Sequence, residues 1–134
     1  MAVRHHVIVR NARLDAIETA IGASPTLELR TGARPAAITD ADTGTLLASI
    51  ALPSDWAAAA SGGTKVMAGT WQDLTADNSG TFGHYRLKTS GGVCYEDGIV
   101  SGPGGGGDIV MDSATVTAGQ QVSILSFTKT EGNA

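Results

Sequence analysis

Residues 101–107 read SGPGGGG and place Gly102, Gly104 and Gly107 at the G-x-G-x-x-G spacing. In dinucleotide-binding folds that spacing brings backbone N–H groups against a pyrophosphate. The chemistry also needs a strand before the glycines, a helix after them, and an acid about 20 residues on for a ribose hydroxyl. Here the downstream DIVMDS is strand-like, the window holds no acid, and only 27 residues follow Gly107. A Walker-type phosphate loop fails as well, because Asp108 and Ile109 stand where Lys and Ser or Thr are required. The run therefore reads as a loop between strands, either mobile or closely packed, with Pro103 as a local restriction.

The remaining chemistry-bearing residues are scattered. Asp40, Asp42 and Gly44 open like a calcium loop, but glycine replaces the third oxygen ligand and Ala51 stands where a bidentate Glu belongs. A turn with Asx hydrogen bonds is the better reading. His5 and His6 are adjacent on a predicted helix, where side chains diverge by about 100° and cannot share a metal. His84 shares a strand face with Arg86, which predicts a solvated position. Cys94 could pair with His84 only if a hairpin aligned them, and a strand cysteine is more often a small buried filler. Glu96, Asp97, Asp108 and Asp112 flank the glycine loop without a spacing that specifies paired-carboxylate chemistry. Trp56 and Trp71 read as core or subunit-contact residues; exposed, either could stack on a sugar. No catalytic, cofactor or metal set emerges, so the sequence predicts a chain that is not an enzyme.

The totals agree. With 134 residues the chain is expected to be one folding unit, with a helix and connection over 1–24 and a β-sandwich domain over 25–134. Only six residues are aromatic and 18 are glycine, so each buried position removes little apolar surface. Such a domain gains stability by burying more against copies of itself or a partner. The formal charge is −4 and uneven: residues 1–34 carry Arg4, Arg10, Arg13, Arg30 and Arg34 against Asp15, Glu18 and Glu28, while the rest carries four bases against ten acids. An acidic body without a basic stripe predicts no direct nucleic-acid binding. One cysteine excludes an intrachain disulfide. No secretory signal or apolar run of membrane-spanning length is visible, which predicts a soluble chain.

Val3, Val7, Leu14, Ile17 and Ile21 fall on one seam, with Arg10 the misfit, and predict a helix over 4–21 that Gly22 and Ser24-Pro25 end. Ile8, Val9 and Ala12 blur the edges of that narrow stripe. After Pro25 the period becomes two. TLELR and TLLASIAL read as half-buried strands joined by an exposed connection, and PSDWAAAASGG as one or two helical turns carrying Trp56. KVMAGTWQDL reads as one further strand. GTFGHYRLKT and VCYEDGIV predict a hairpin over 81–100, with Val93, Tyr95 and Ile99 forming the apolar side of its second strand. DIVMD, TVTAG and QQVSILSFTKT complete the set, the last with a parity switch from Val122 and Ile124 to Leu125 and Phe127 that a bulge, or burial on both faces, would account for. Short strands after one helix predict a mainly β fold: an antiparallel β-sandwich or open barrel preceded by one N-terminal α-helix.

Taken in order, LELRTGARP, TLLASIAL, LTADNSGTFGHYRLKTSGGVCYEDGIV and GGDIVMDSATVTAGQQVSILSFT resemble a group of small structural proteins of tailed bacteriophages and prophages. The resemblance spans nearly the whole chain and carries no catalytic residues. It implies a virion component, assembled in the host cytoplasm, of the head decoration or cement type. Such a protein binds itself, as a trimer or other cyclic oligomer, and the major capsid protein; a tail or head-tail connector role, with tail proteins as partners, is the alternative. The N-terminal helix and the loop over 31–44 are the candidate contacts. A carbohydrate-binding module and a small hydrolase stay open as readings from other classes.

Overall fold

The computed structural model describes residues 3–124 and 127–130. Helix α1 spans Val7–Ile21, three residues later than the sequence period suggests, because His6 is its N-cap: the backbone there is extended and the ring accepts a hydrogen bond from the Ile8 N–H at 3.2 Å. Neither His5 nor His6 therefore lies on the helix. Gly22, at φ 87°, closes it by donating its N–H to the Glu18 carbonyl at 2.9 Å.

Eleven strands follow among the described residues: β1 Thr26–Arg30, β2 Leu46–Ala51, β3 Thr64–Val66, β4 Trp71–Asp73, β5 Gly80–Thr81, β6 His84–Lys88, β7 Cys94–Ser101, β8 Ile109–Val110, β9 Thr115–Val116, β10 Val122–Ile124 and β11 Thr128–Thr130. One sheet runs β2-β1-β6-β7-β8, and the pairs β10-β4, β11-β3 and β5-β9 curl around it into a half-barrel. The chain is thus mainly β with a single N-terminal helix, and β6 and β7 form the expected hairpin.

Several local expectations give way to tertiary hydrogen bonding. The segment carrying Trp56 is not helical: Ala58 N–H bonds the Val66 carbonyl, Ala68 N–H bonds the Trp56 carbonyl, and the Trp56 indole donates to the Gly22 carbonyl at 2.9 Å. The stretch read as one strand from Lys65 to Leu74 breaks into β3 and β4 around Gly69 (φ 75°), which lies against Pro53. The proposed bulge residue Leu125 lies outside the described residues; Phe127 beyond it is buried.

One strand pair departs from antiparallel order, because β7 and β8 are parallel. Parallel neighbours usually need a crossover of about a dozen residues or more. Residues 102–108 make the return in seven, and the glycines are why. Gly104 and Gly106 adopt φ of 76° and 74°, and a Cβ at Gly105 would sit 2.5 Å from the Ser101 Cβ. Gly107 N–H donates to the Ser101 hydroxyl at 2.9 Å. The run is a tightly packed reversal followed by a strand, without the helix a pyrophosphate site requires.

Four of the six aromatics form one cluster. Trp56 and Trp71 are 6.2 Å apart between ring centroids, Phe127 meets Trp71 edge-on at 5.9 Å, and Tyr85 meets Phe127 edge-on at 5.5 Å. Both tryptophans are 1% exposed, so they serve the core and present no platform to a sugar. Concentrating the scarce bulk in one place gives the small domain a single nucleus of dispersion contacts.

The helix is fastened to this core by polar bonds as much as by Leu14 and Ile21. Lys65 on β3 has a side chain only 1% exposed, and its ammonium reaches Asp15 and Glu18 at 2.7 Å each and the Ala58 carbonyl at 2.8 Å. Asp15 also accepts the Ala60 N–H, and Asn11 the Gly63 N–H, both at 2.9 Å. Hydrogen bonding to Lys65 holds the Asp15 carboxyl below its ordinary range; burial pulls Lys65 down, and its two carboxylate partners more than reverse that. Replacing Lys65 by Met should destabilise the chain by about 2 kcal/mol, since a buried carbonyl and two carboxylates lose their cation. Urea unfolding measures this; an unchanged midpoint would show that α1 is held by apolar contact alone.

Candidate functional site

The outer face of the central sheet is built from residues two apart on neighbouring strands. Thr26, Glu28 and Arg30 of β1 stand opposite Lys88, Arg86 and His84 of β6. A charged sheet face ordinarily faces water, yet here the fifteen residues between β1 and β2 fold back over it. Consequently His84, Tyr85, Arg86 and Leu87 are all buried, the odd-numbered pair by the core and the even-numbered pair by the loop. His84 is 0% exposed and Arg86 2%, which corrects the expectation of solvated positions.

Arg86 is the clamp. Its guanidinium donates to the Ile38 carbonyl at 2.5 Å, the Asp40 carbonyl at 3.1 Å, the Asp42 carboxylate at 2.6 Å and the Cys94 sulfur at 3.2 Å. Asp42 also receives Lys88 at 2.6 Å and Arg30 at 3.2 Å, and both of these bases pair in addition with Glu28. Burial raises the Asp42 pKa, but hydrogen bonds from Lys88 and Arg86 and the charge of Arg30 bring it below the usual carboxylate value; Lys88 is correspondingly raised.

The loop is also fixed at its base and within itself. Thr31 and Thr45 exchange hydrogen bonds at 3.1 and 2.9 Å, and a Cβ on Gly44 (φ 70°) would lie 2.1 Å from the Thr31 carbonyl oxygen. Asp40 closes a turn backwards: its carboxylate accepts the Ala37 N–H at 3.0 Å and its own N–H donates to the Ala37 carbonyl at 3.0 Å, in place of the expected Asx turn, in which the carboxylate would accept from two residues further on. The His84 ring nitrogen Nδ1 lies 2.9 Å from the Gly32 carbonyl, and Gly83 lies so close beneath Gly32 that a Cβ would approach its oxygen to 2.1 Å. Asp40 and Asp42 thus serve a turn and an ion-pair network, and among the described residues no group of three or more His, Cys, Asp or Glu side chains could hold a metal ion.

Beside the loop lies an apolar groove of about 410 Å³, lined by Ile17, Ala20 and Ile21 of α1, Ile38 of the loop, and Val93 and Tyr95 at the start of β7. Val93, Tyr95 and Ile99, expected to form the buried side of β7, are instead 56%, 54% and 42% exposed. The Tyr85 ring fills the space above Gly98, where a Cβ would come within 2.5 Å of it, so β7 turns Glu96, Gly98 and Val100 inward. The register also shifts between Leu87 and Lys88, which pair with Glu96 and Cys94 and leave Tyr95 as the extra residue of a bulge.

The remaining candidates do not converge. Cys94 stands opposite Lys88 and His84 opposite Ile99, so the hairpin does not align them. Cys94 is half-buried and donates to the Glu96 carbonyl. Glu96 accepts hydrogen bonds from Tyr85 and Lys129, Asp97 pairs with Arg34, and Asp108 accepts the Ile99 N–H. Burial, then the Glu96 charge, pushes the Tyr85 hydroxyl far above its ordinary pKa, keeping it a neutral donor. Compared with protein-family models, curated proteins and solved structures, the chain matches none of them.

The clamp was missed in the sequence although its signal is present. Glu28, Arg30, Arg86 and Lys88 recur at period two on two strands, the pattern of facing strands that share one covered, charged face. Replacing Arg86 by Leu should cost roughly 2–4 kcal/mol and free the loop to thermolysin cleavage before Ile38, because two loop carbonyls and Asp42 lose their donor. The same network sets a pH window. Asp42, lowered in the folded chain, contributes fully above about pH 4 and loses its contribution as pH falls through its folded value; Lys88, raised, contributes below its ordinary 10.5 and loses it as pH climbs past that. Urea midpoints should therefore fall at both extremes and, in Arg86→Leu, fall less steeply on the acid side; equal acid slopes would contradict the clamp.

Proposed function

We propose that this chain is a non-enzymatic structural protein of a tailed-bacteriophage virion, of the head decoration type, which binds the outer capsid lattice as a cyclic oligomer. The observation that carries the reading is the loop of residues 31–45, exposed along most of its length yet pinned by Arg86. Structureless connections of this length in a small domain are usually functional. A loop already fixed in one conformation loses little entropy on docking, so even a modest contact area can bind. The exposed Ile38, Val93 and Tyr95 beside it supply the apolar part of such a contact. The resemblance of the sequence segments, in their order, to those of small phage structural proteins points to the same class.

Decoration then works by adding buried area across capsomer boundaries, which stabilises a shell by mass action without turnover. A tail or connector position is the second reading within the class. Purified chain mixed with expanded phage heads should co-sediment with the heads, and Arg86→Leu should weaken that binding at least tenfold while the variant stays folded. Chain that ignores heads but sediments with tails transfers the assignment to the tail; chain that binds neither overturns it.

A further inference from the structure

We propose that His84 is an acid-sensitive latch: the loop of residues 31–45 closes only over a neutral imidazole, so acidification through the ordinary imidazole range opens the loop while the barrel stays folded. The latch is a property of the chain by itself and does not depend on shell binding. The partner of the ring fixes its tautomer. A carbonyl oxygen only accepts, so the 2.9 Å approach of Nδ1 to the Gly32 carbonyl puts the proton on Nδ1. Nε2 is then a bare acceptor, and it is buried with no hydrogen-bond partner among the described residues. A second proton would turn that nitrogen into a charged donor inside a residue that is 0% exposed, with nothing to receive it.

The charges around the ring oppose a second proton as well. In the sheet, Arg30 of β1 stands directly opposite His84 on one side and Ile99 of β7 on the other, and Arg86 and Lys88 follow at period two on β6 itself. Like charges directly opposite destabilise a strand pair. The acids of this face are engaged elsewhere: Glu28 with Arg30 and Lys88, Asp42 with Arg30, Arg86 and Lys88. Asp97 of β7 pairs with Arg34 of the loop, Asp40 receives the Ala37 N–H, and Asp108 receives the Ile99 N–H. Opening relieves both difficulties, because the loop and not the core covers this side of β6. Gly32, which receives Nδ1–H, is also the residue packed on Gly83, so lifting it uncovers the ring. An uncovered imidazole takes up a proton near pH 6.5, so the ratio of closed to open loop falls about tenfold for each pH unit below that. Asp42, held below the usual carboxylate range, stays ionised in this window, and the ion pairs of the clamp do not change with it.

Amide exchange of the full chain tests the latch, with each rate referred to unstructured exchange at the same pH. Protection of the Ala37 and Asp40 N–H groups should fall roughly tenfold between about pH 7.5 and about pH 5.5, while that of Leu27 and Leu87 in the central sheet holds. His84→Asn keeps a side-chain N–H for the Gly32 carbonyl and has nothing to titrate, so its loop protection should stay level over the same range. A wild-type loop with level protection, or an equal fall in His84→Asn, would overturn the proposal. If the Asn variant fails to fold, the imidazole nitrogen shifts of the wild-type chain decide. A ring that stays in the Nδ1–H form until loop protection is lost supports the latch; a doubly protonated ring under a protected loop refutes it. Neither readout involves phage heads, so a chain that ignores heads leaves this inference standing.

Discussion

A guanidinium held almost wholly out of water on the outer face of a sheet organises this molecule. Arg86 could stand in water if the loop of residues 31–45 were elsewhere, and then the face made by Glu28, Arg30, Arg86 and Lys88 would be an ordinary solvated surface. The loop in turn has little apolar material of its own to bury: Pro35 is buried, while Ile38 is 39% exposed. Neither partner is self-sufficient. Desolvating Arg86 is offset only because two carbonyls, a carboxylate and a sulfur meet its donors, and the loop keeps its shape only because those acceptors are held.

The helix follows the same rule with Lys65 in place of Arg86. A buried cation gathers Asp15, Glu18 and the Ala58 carbonyl and so sets the helix on the barrel. Two surface elements are thus attached through polar anchors, while the few large apolar residues are gathered into the cluster of Trp56, Trp71, Tyr85 and Phe127. This division has a consequence for function. Because the helix and loop do not need all their apolar side chains for attachment, Ile8, Val9, Ile38, Val93 and Tyr95 remain on the outside, where a neighbouring molecule can use them. Rigid elements with apolar surface left over are what the proposed role in an assembly would use.

What could be read from the sequence was whatever local pattern determines. The seam through Leu14, Ile17 and Ile21, the Gly22 stop, the period-two strands TLELR and HYRLK and the turn at Gly91 and Gly92 all specify their own conformation, and the mainly β class with one helix follows from them. Pattern failed where a distant group supplied the missing partner. Alternation put Tyr95 and Ile99 inside, but the Tyr85 ring occupied that space and only glycine fitted opposite it. Residues 54–62 have the composition of a helical turn, yet their backbone groups found the β3 segment. His84 and Arg86 looked solvated because nothing local announces that a loop 46 residues upstream, at Asp40, will cover them. The glycine run lost its nucleotide reading for a related reason, since its spacing serves a seven-residue return between parallel strands.

The central claim is that the loop between β1 and β2 is a pre-formed platform, and amide hydrogen exchange on the free chain tests it most directly. The account predicts that the N–H groups of Ala37, Asp40 and Thr45 exchange at least a hundredfold more slowly than unstructured amides, approaching those of β1. Exchange of all three at the unstructured rate, while β1 and β6 stay protected, would contradict it.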